Sequence, residues 1–160
     1  MRAERLPALG PRGEGWFAIQ VVLLAAIFLA GFVSPVLTGW AFLAGEAVGL
    51  ALVSCGGLLS LRGLLDLGSS LTPLPKPLEH GQLVDCGAYG LVRHPIYGGL
   101  ILGAVGWGLF RASPPALGLA LLLAVFFDLK SRREEVWLAE RYRDYTAYRS
   151  RTRRLVPWLY

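Results

Sequence analysis

Five side chains have the types and spacing to bind a charged small molecule. Arg93, His94 and Tyr97 stand close together, and Glu134 and Glu135 follow about 40 residues later. An imidazole donates or accepts a proton near neutral pH, and a carboxylate forms strong hydrogen bonds with cationic groups. If the chain brings these two groups together, they predict a site where a cationic ligand is held between the histidine segment and the two acids.

The residues around the first group favour such a site. Gly87, Ala88 and Gly90 are small, which lets a backbone approach a ligand closely. Pro95 suits the first position of a helix, because the N–H group that proline lacks has no helical partner there. The polar segment 68–95, which carries several X-Pro pairs, is therefore predicted to be a binding loop that leads into a helix.

Composition places these residues in a membrane protein. The chain has 160 residues, of which 54% are hydrophobic and 17% charged, and its mean hydropathy is +0.50. This predicts an all-α, single-domain bundle of about four transmembrane helices. The predicted spans are 16–37, 40–67, 96–110 and 115–129.

A charged segment follows the last apolar run. Beyond the last span, an amphipathic cytosolic helix is predicted over 131–149. At 100° per residue, one face of that helix would carry Glu134, Glu135, Leu138, Tyr142 and Tyr145.

The basic residues also predict an orientation. Arg2, Arg5 and Arg12 precede the first span, whereas the short turns around 34–39 and 111–115 carry almost no charge. The positive-inside rule therefore places both termini and the 68–95 loop in the cytoplasm. Although the net charge is +5, the bases adjoin apolar segments, which favours a membrane surface over nucleic acid. Composition and short loops favour a bacterial cytoplasmic membrane.

Structural roles compete with chemical ones for several of these residues. Arg93 and Tyr97 could anchor a helix at the interface, and Glu134 and Glu135 could begin a solvated helix. Arg62 and Asp66, one turn apart, are expected to pair. An interfacial aromatic belt is predicted for Tyr142, Tyr145, Tyr148 and Trp158. Cys55 and Cys86 are expected at different depths, which argues against a disulfide and a metal cluster.

Two motifs resemble a known superfamily. The stretch "LVDCGAYGLVRHPIYGG" precedes "SRREEVWLAERYRDYTAYRSRTRRLVP", with two short apolar runs between them. Together they look like the paired signature of the isoprenylcysteine carboxyl methyltransferase and phospholipid methyltransferase superfamily. The likeness extends from Leu71 to Pro157 and includes the basic Arg154; it departs from the pattern at Arg143, where glycine is common.

The resemblance implies S-adenosylmethionine as cofactor and a lipophilic or small methyl acceptor bearing a carboxylate, amine, hydroxyl or thiol. It implies catalytic roles for Arg93 and Glu135. It assigns the cofactor pocket to Gly87, Tyr89, Leu91, Val92, His94, Pro95, Tyr97, Glu134, Glu135 and Leu138.

Two other functions fit parts of the pattern. A membrane sterol or enone reductase that uses NADPH shares features of the C-terminal motif, although four spans leave little polar surface for a dinucleotide. A small non-enzymatic membrane protein would use the charged residues only as helix anchors, but it has no need for a histidine or for two inward-facing acids. Cofactor binding distinguishes the three functions.

Overall fold

The computed structural model describes residues 6–33 and 39–155, and these residues form an all-α fold. The helices are α1 (Glu14–Ala30), α2 (Trp40–Leu67), α3 (Ala88–Leu91), α4 (Pro95–Phe110), α5 (Pro114–Arg141) and α6 (Tyr145–Arg151), with a 3₁₀ turn at Gly68–Ser70. Within the described ranges, the β pairing is limited to one isolated bridge between Val92 and Arg153. The all-α prediction is therefore confirmed.

The surface of the bundle is strongly apolar. The segments Phe42–Ser70 and Pro114–Arg141 are long and apolar enough to cross a membrane, and α1 and α4 are shorter apolar helices. Large apolar side chains lie exposed on these helices, including Val22, Leu29, Leu58, Leu65 and Leu121. An apolar exterior of this extent suits contact with lipid rather than water, as expected for a membrane helical bundle.

Glycine brings α2 and α4 into close contact. A β-carbon on Gly56 would lie 2.4 Å from the Gly99 carbonyl oxygen, and one on Gly106 would lie 2.6 Å from that of Gly49. Backbones can approach this closely only where side chains are absent, and such packing is common between helices in membranes. The contact fixes the start of α4, which leads out of the loop.

Ser113 connects the helices at the end of the bundle that lies opposite the start of α4. Its hydroxyl donates to the Ala30 carbonyl over 2.7 Å and accepts a hydrogen bond from the Ala116 N–H at the start of α5. Arg111 donates to the Gly31 carbonyl over 3.1 Å. These bonds join the turn between α4 and α5 to the end of α1.

The predicted break between a fourth span and a separate helix at 131 is wrong. The helix α5 continues from Pro114 to Arg141 and ends where Tyr142 adopts an extended backbone. No glycine or proline occurs in residues 119–141, and charged side chains pair along this part of the helix: Arg132 donates to Asp128 over 2.8 Å. The predicted single face of 131–149 is therefore divided between α5 and α6.

The first apolar run also forms a shorter helix than predicted. Helix α1 ends at Ala30, and Gly31 follows as its cap, whereas the predicted end at Leu37 lies outside the described residues. Parts of other predictions lie outside the described residues, namely Arg2, Arg5, the turn at 34–38, Pro157 and Trp158.

Candidate functional site

A cavity of about 340 Å³ lies where the 70–84 loop covers the ends of the helices. The start of α4, the second half of α5 and α6 supply its other walls. Its polar wall residues include Gln20, Tyr89, Arg93, His94, Tyr97, Lys130, Glu134, Tyr142, Tyr145 and Tyr148. Apolar wall residues include Leu64, Leu71, Pro75, Ile96 and Leu138. The volume is in the range of small-molecule sites.

Stacked rings form one side of this cavity. His94 immediately precedes α4, whose first residue is Pro95, and its ring stacks on Tyr97 with centroids 5.3 Å apart. Tyr97 in turn stacks on Phe127 of α5, with centroids 4.5 Å apart. Because α4 begins at Pro95, as predicted, His94 and Tyr97 lie against α5.

Glu134 presents a carboxylate to the cavity. Its Oε2 accepts a hydrogen bond from the Tyr97 hydroxyl over 2.7 Å and lies 3.9 Å from His94 Nδ1. A carboxylate has lone pairs for about four hydrogen bonds, so Glu134 can accept from a bound cation as well.

Glu135 lies beside Glu134 in sequence but faces a different environment. It is only 3% exposed, does not line the cavity, and is surrounded by four basic groups. Its carboxylate oxygens lie 2.8 Å from Arg93 Nε, 3.2 Å from Arg154 Nε, 3.5 Å from His94 Nε2 and 3.7 Å from Arg149 Nε. A buried carboxylate needs such partners. Glu135 therefore contacts basic side chains and not the cavity, and its contact with the cofactor stays a prediction.

The C-terminal segment fixes the backbone of Arg93 and His94. The Arg93 N–H donates to the Arg153 carbonyl over 2.8 Å, and the His94 N–H donates to the Arg154 carbonyl over 3.0 Å. The Arg93 guanidinium also donates to the carbonyls of Arg149 and Thr152. Arg93, predicted to act on the ligand, is thus engaged with protein groups.

Lys130 belongs to the cavity wall, although neither motif contains it and no site role was predicted for it. The residue is 1% exposed, and its ammonium donates to Gln20 Oε1 of α1. Its Nζ lies 4.9 Å from the Tyr97 ring centroid, within cation–π range. A lysine directly after an apolar run was the available signal, since an ionisable group inside a membrane segment is by default a functional candidate.

Tyr145 and Tyr148 are buried in the cavity wall, so the prediction of an interfacial belt is wrong for them. The Tyr148 hydroxyl donates to the Tyr89 carbonyl over 2.7 Å. The Tyr145 hydroxyl is buried, and no hydrogen-bond partner for it occurs among residues 6–33 and 39–155. Burial raises the pKa of Tyr145 well above its ordinary value, and the nearby Glu135 carboxylate raises it further.

The predicted catalytic and cofactor-binding residues divide into two groups. Those on the wall are Tyr89, Arg93, His94, Tyr97, Glu134 and Leu138. Those that do not line the cavity are Gly87, Leu91, Val92, Pro95 and Glu135. Leu91 is 55% exposed, whereas Val92 and Pro95 are fully buried as packing residues. Gly87 belongs to the turn before α3 and Pro95 to the start of α4, whereas Glu135 pairs with basic side chains from its position on α5.

Gly87 makes the turn that sets Tyr89 in place. Its φ of 60° and ψ of −131° suit glycine, and the next N–H group, of Ala88, donates to Asp66 Oδ2 over 2.7 Å. Asp66 also pairs with Arg62 over 3.2 Å, as expected. Its bond to the loop was not predicted, because no local pattern relates α2 to residue 88.

Comparison with known proteins identifies the family. The family model described as phospholipid methyltransferase matches residues 45–145. The chain belongs to the phospholipid methyltransferase family. The match confirms the resemblance drawn from the two motifs, and it includes most of the cavity wall, from Leu64 to Tyr145.

Curated relatives of this phospholipid methyltransferase family member occur in plants. Protein-S-isoprenylcysteine O-methyltransferase B of Arabidopsis thaliana is 31% identical over 115 residues, which are 69% of this chain and 58% of the relative. A probable protein-S-isoprenylcysteine O-methyltransferase of Oryza sativa subsp. indica is 28% identical over 116 residues, which are 70% of this chain and 61% of the relative. The chain thus spans about three fifths of the length of these relatives.

Proposed function

We propose that this chain is an integral membrane methyltransferase that uses S-adenosylmethionine to methylate a lipophilic or small acceptor at the cytosolic face. The observation that carries the proposal is the mixed wall of the cavity. Glu134, Tyr145 and the stacked rings of His94 and Tyr97 all line one cavity, and the buried Tyr145 hydroxyl has no described hydrogen-bond partner.

The wall residues fit the chemical groups of this cofactor. Its ammonium needs acceptors, which the Glu134 carboxylate supplies. A buried hydroxyl without a partner is costly, and a ribose hydroxyl would satisfy that of Tyr145. The Tyr97 ring and Leu138 supply an apolar and aromatic wall suited to the sulfonium and the adenine.

The bound cofactor would supply an activated methyl group for in-line displacement. The protein's part is alignment and the exclusion of water, since an anionic acceptor needs no strong base. The 70–84 loop serves this purpose because it covers the cavity. Its two ends are joined at Ser70, whose hydroxyl accepts from the Gln82 N–H over 3.0 Å.

The surroundings of the cavity support the proposed acceptor and orientation. The N-terminal segment meets the loop at the same end of the bundle, since the Lys76 N–H donates to the Arg12 carbonyl over 3.4 Å. The C-terminal bases Arg149 and Arg154 lie there too. The positive-inside rule favours the cytoplasm for this end, with both termini. The exposed apolar helices and the plant relatives' lipid-modified substrates favour an acceptor delivered from the bilayer.

The first test is calorimetric binding of S-adenosylmethionine to the full chain in detergent. Wild-type protein is expected to bind, and Glu134→Gln is expected to lose roughly tenfold or more in affinity. Glu79→Gln is the matched control, because Glu79 is exposed on the loop and its side chain does not line the cavity. NADPH is titrated in parallel. Folded wild-type protein that binds NADPH, or neither compound, would contradict the proposal.

A further inference from the structure

Three basic side chains line the cavity among the residues described, namely Arg93, His94 and Lys130. Arg93 contacts Glu135 and the C-terminal backbone. His94 stacks on Tyr97 and lies within 4 Å of the carboxylates of both Glu134 and Glu135. Lys130 is different, because within the described residues its side chain donates one hydrogen bond, to the neutral Gln20 side chain. The other two donors of its ammonium have no hydrogen-bond acceptor in that part of the chain.

Lys130 and Glu134 are opposite charges one helical turn apart on α5, yet the described structure shows no ion pair between them. Residues at this spacing are neighbours on a helix surface and can pair directly. Here Tyr97 engages both: the Lys130 Nζ lies 4.9 Å from its ring centroid, and its hydroxyl donates to Glu134 Oε2 over 2.7 Å. A separate positive and a separate negative group thus face the same cavity.

We propose that Lys130 binds the carboxylate of the amino-acid part of S-adenosylmethionine while Glu134 binds its ammonium. This inference rests on the proposed function and names a residue that neither motif contains. The ammonium and the carboxylate of the amino-acid part are attached to the same carbon atom. The protein groups that bind them must therefore lie close together without forming an ion pair with each other. Residues four apart on one helix, both engaged by Tyr97, meet this requirement.

Gln20 is the positioning residue for Lys130. Its Oε1 accepts a hydrogen bond from the ammonium, and it lines the cavity itself. A carboxylate that leaves water needs a charged donor in a fixed position, because an unpaired buried charge is very unfavourable. Helix α1 thereby contributes to the site although it carries no residue of the two motifs.

The test compares two ligands that differ only in the carboxylate. Calorimetry on the full chain in detergent measures the Kd of S-adenosylmethionine and of decarboxylated S-adenosylmethionine, which keeps the ammonium, the sulfonium and the adenosine. Wild-type protein is expected to bind the former roughly 10- to 100-fold more tightly, as for a charge-assisted hydrogen bond. Lys130→Met is expected to abolish this preference while it leaves the Kd of the decarboxylated compound unchanged.

Two controls isolate the carboxylate contact. Lys76→Met makes the same change at an exposed loop lysine outside the cavity wall and should keep the wild-type preference. Glu134→Gln should weaken both ligands alike, since both carry the ammonium. Lys130→Gln, which retains a donor for Gln20, repeats the test with a gentler change if Lys130→Met does not fold.

The outcomes separate this inference from the proposed function. Wild-type protein that binds both compounds equally overturns the role of Lys130 and leaves the methyltransferase proposal in place; this comparison needs no variant. A Lys130 variant that loses both ligands by the same factor also overturns it. Wild-type protein that binds neither compound contradicts the proposed function itself.

Discussion

Arg93 Nε donates to Glu135 Oε1 over 2.8 Å, and this contact joins the residues before α4 to the second half of α5. Both side chains are buried, at 9% and 3% exposure. Because Arg154 reaches the same carboxylate oxygen over 3.2 Å, one acid connects three separate segments of the chain. This cluster of Arg93, Glu135 and Arg154 holds the segment that contains His94 beside the cavity. Its contribution to the free energy of unfolding can be measured.

Glu135→Gln should destabilise the protein by about 3–5 kcal/mol, because it removes the negative partner of several buried or half-buried cations. Thermal unfolding in detergent measures the effect. Glu134→Gln is the matched control: it changes the neighbouring acid, whose amide replacement can still accept from the Tyr97 hydroxyl. Equal unfolding temperatures for the two variants would show that the cluster does not stabilise the fold.

Gly87→Ala should destabilise the loop by about 1–3 kcal/mol, since the residue has a backbone conformation unfavourable to side chains. The added β-carbon would also lie 2.3 Å from Asp66 Oδ2, the acceptor for the Ala88 N–H. Ligand affinity should fall with the displaced loop.

Gly90→Ala is the comparison for this loop, because its β-carbon would meet nothing closer than the Asp85 carbonyl at 3.6 Å. The two variants are compared by thermal unfolding and by S-adenosylmethionine calorimetry. A Gly87→Ala protein that behaves like Gly90→Ala would refute the assigned role of the turn.

Gly56→Ala should force α2 and α4 apart and cost about 1–3 kcal/mol, the usual range for overpacking. The new β-carbon would lie 2.4 Å from the backbone oxygen of Gly99, which no rotamer change relieves. Gly57→Ala, at the adjacent residue with nothing within 4 Å, should be neutral or mildly stabilising. Unfolding temperatures that do not differ between this pair would be the contrary result.

Tyr145→Phe should leave stability at pH 7 within about 1 kcal/mol of wild type, because the hydroxyl it removes is buried without a described partner. The same variant should bind S-adenosylmethionine more weakly if that hydroxyl meets the ribose. Thermal unfolding and calorimetry on one preparation give both values. Unchanged affinity would remove Tyr145 from the proposed pocket.

The stability of the wild type should also fall as the pH rises above about 10, the ordinary tyrosine value. Burial raises the pKa of Tyr89, Tyr145 and Tyr148 in the fold, so the unfolded chain loses these protons first. Their stabilising contribution is complete below the unfolded pKa and is lost as the pH rises toward the folded pKa. The slope of unfolding temperature against pH should be shallower for Tyr145→Phe than for wild type.

Local patterns predicted much of the helical framework. The apolar run 40–67 coincides with α2, and the proline after His94 marks the start of α4. The two motifs identified the family and six residues of the cavity wall. These features depend on short-range chemistry: helix starts, apolar length and residue types within one turn.

Other features depend on contacts between distant segments. The helix break at Tyr142 occurs without glycine or proline. Tyr148 of α6 is buried where its hydroxyl donates to the carbonyl of Tyr89 in α3. The Lys130 ammonium donates to Gln20 of α1, which lies 110 residues earlier in the chain. No spacing within a motif contains this information.

Glu134 and Glu135 show the difference between what the sequence predicts and what depends on the tertiary structure. The sequence by itself determined that two adjacent acids follow the second motif's start and belong with Arg93 and His94. Only the tertiary structure decided that Glu134 faces the cavity while Glu135 faces the cation cluster. Adjacent residues of a helix point about 100° apart. Which one meets the cavity therefore depends on the rotation of α5, and that rotation is set by its packing against α1, α4 and the C-terminal segment.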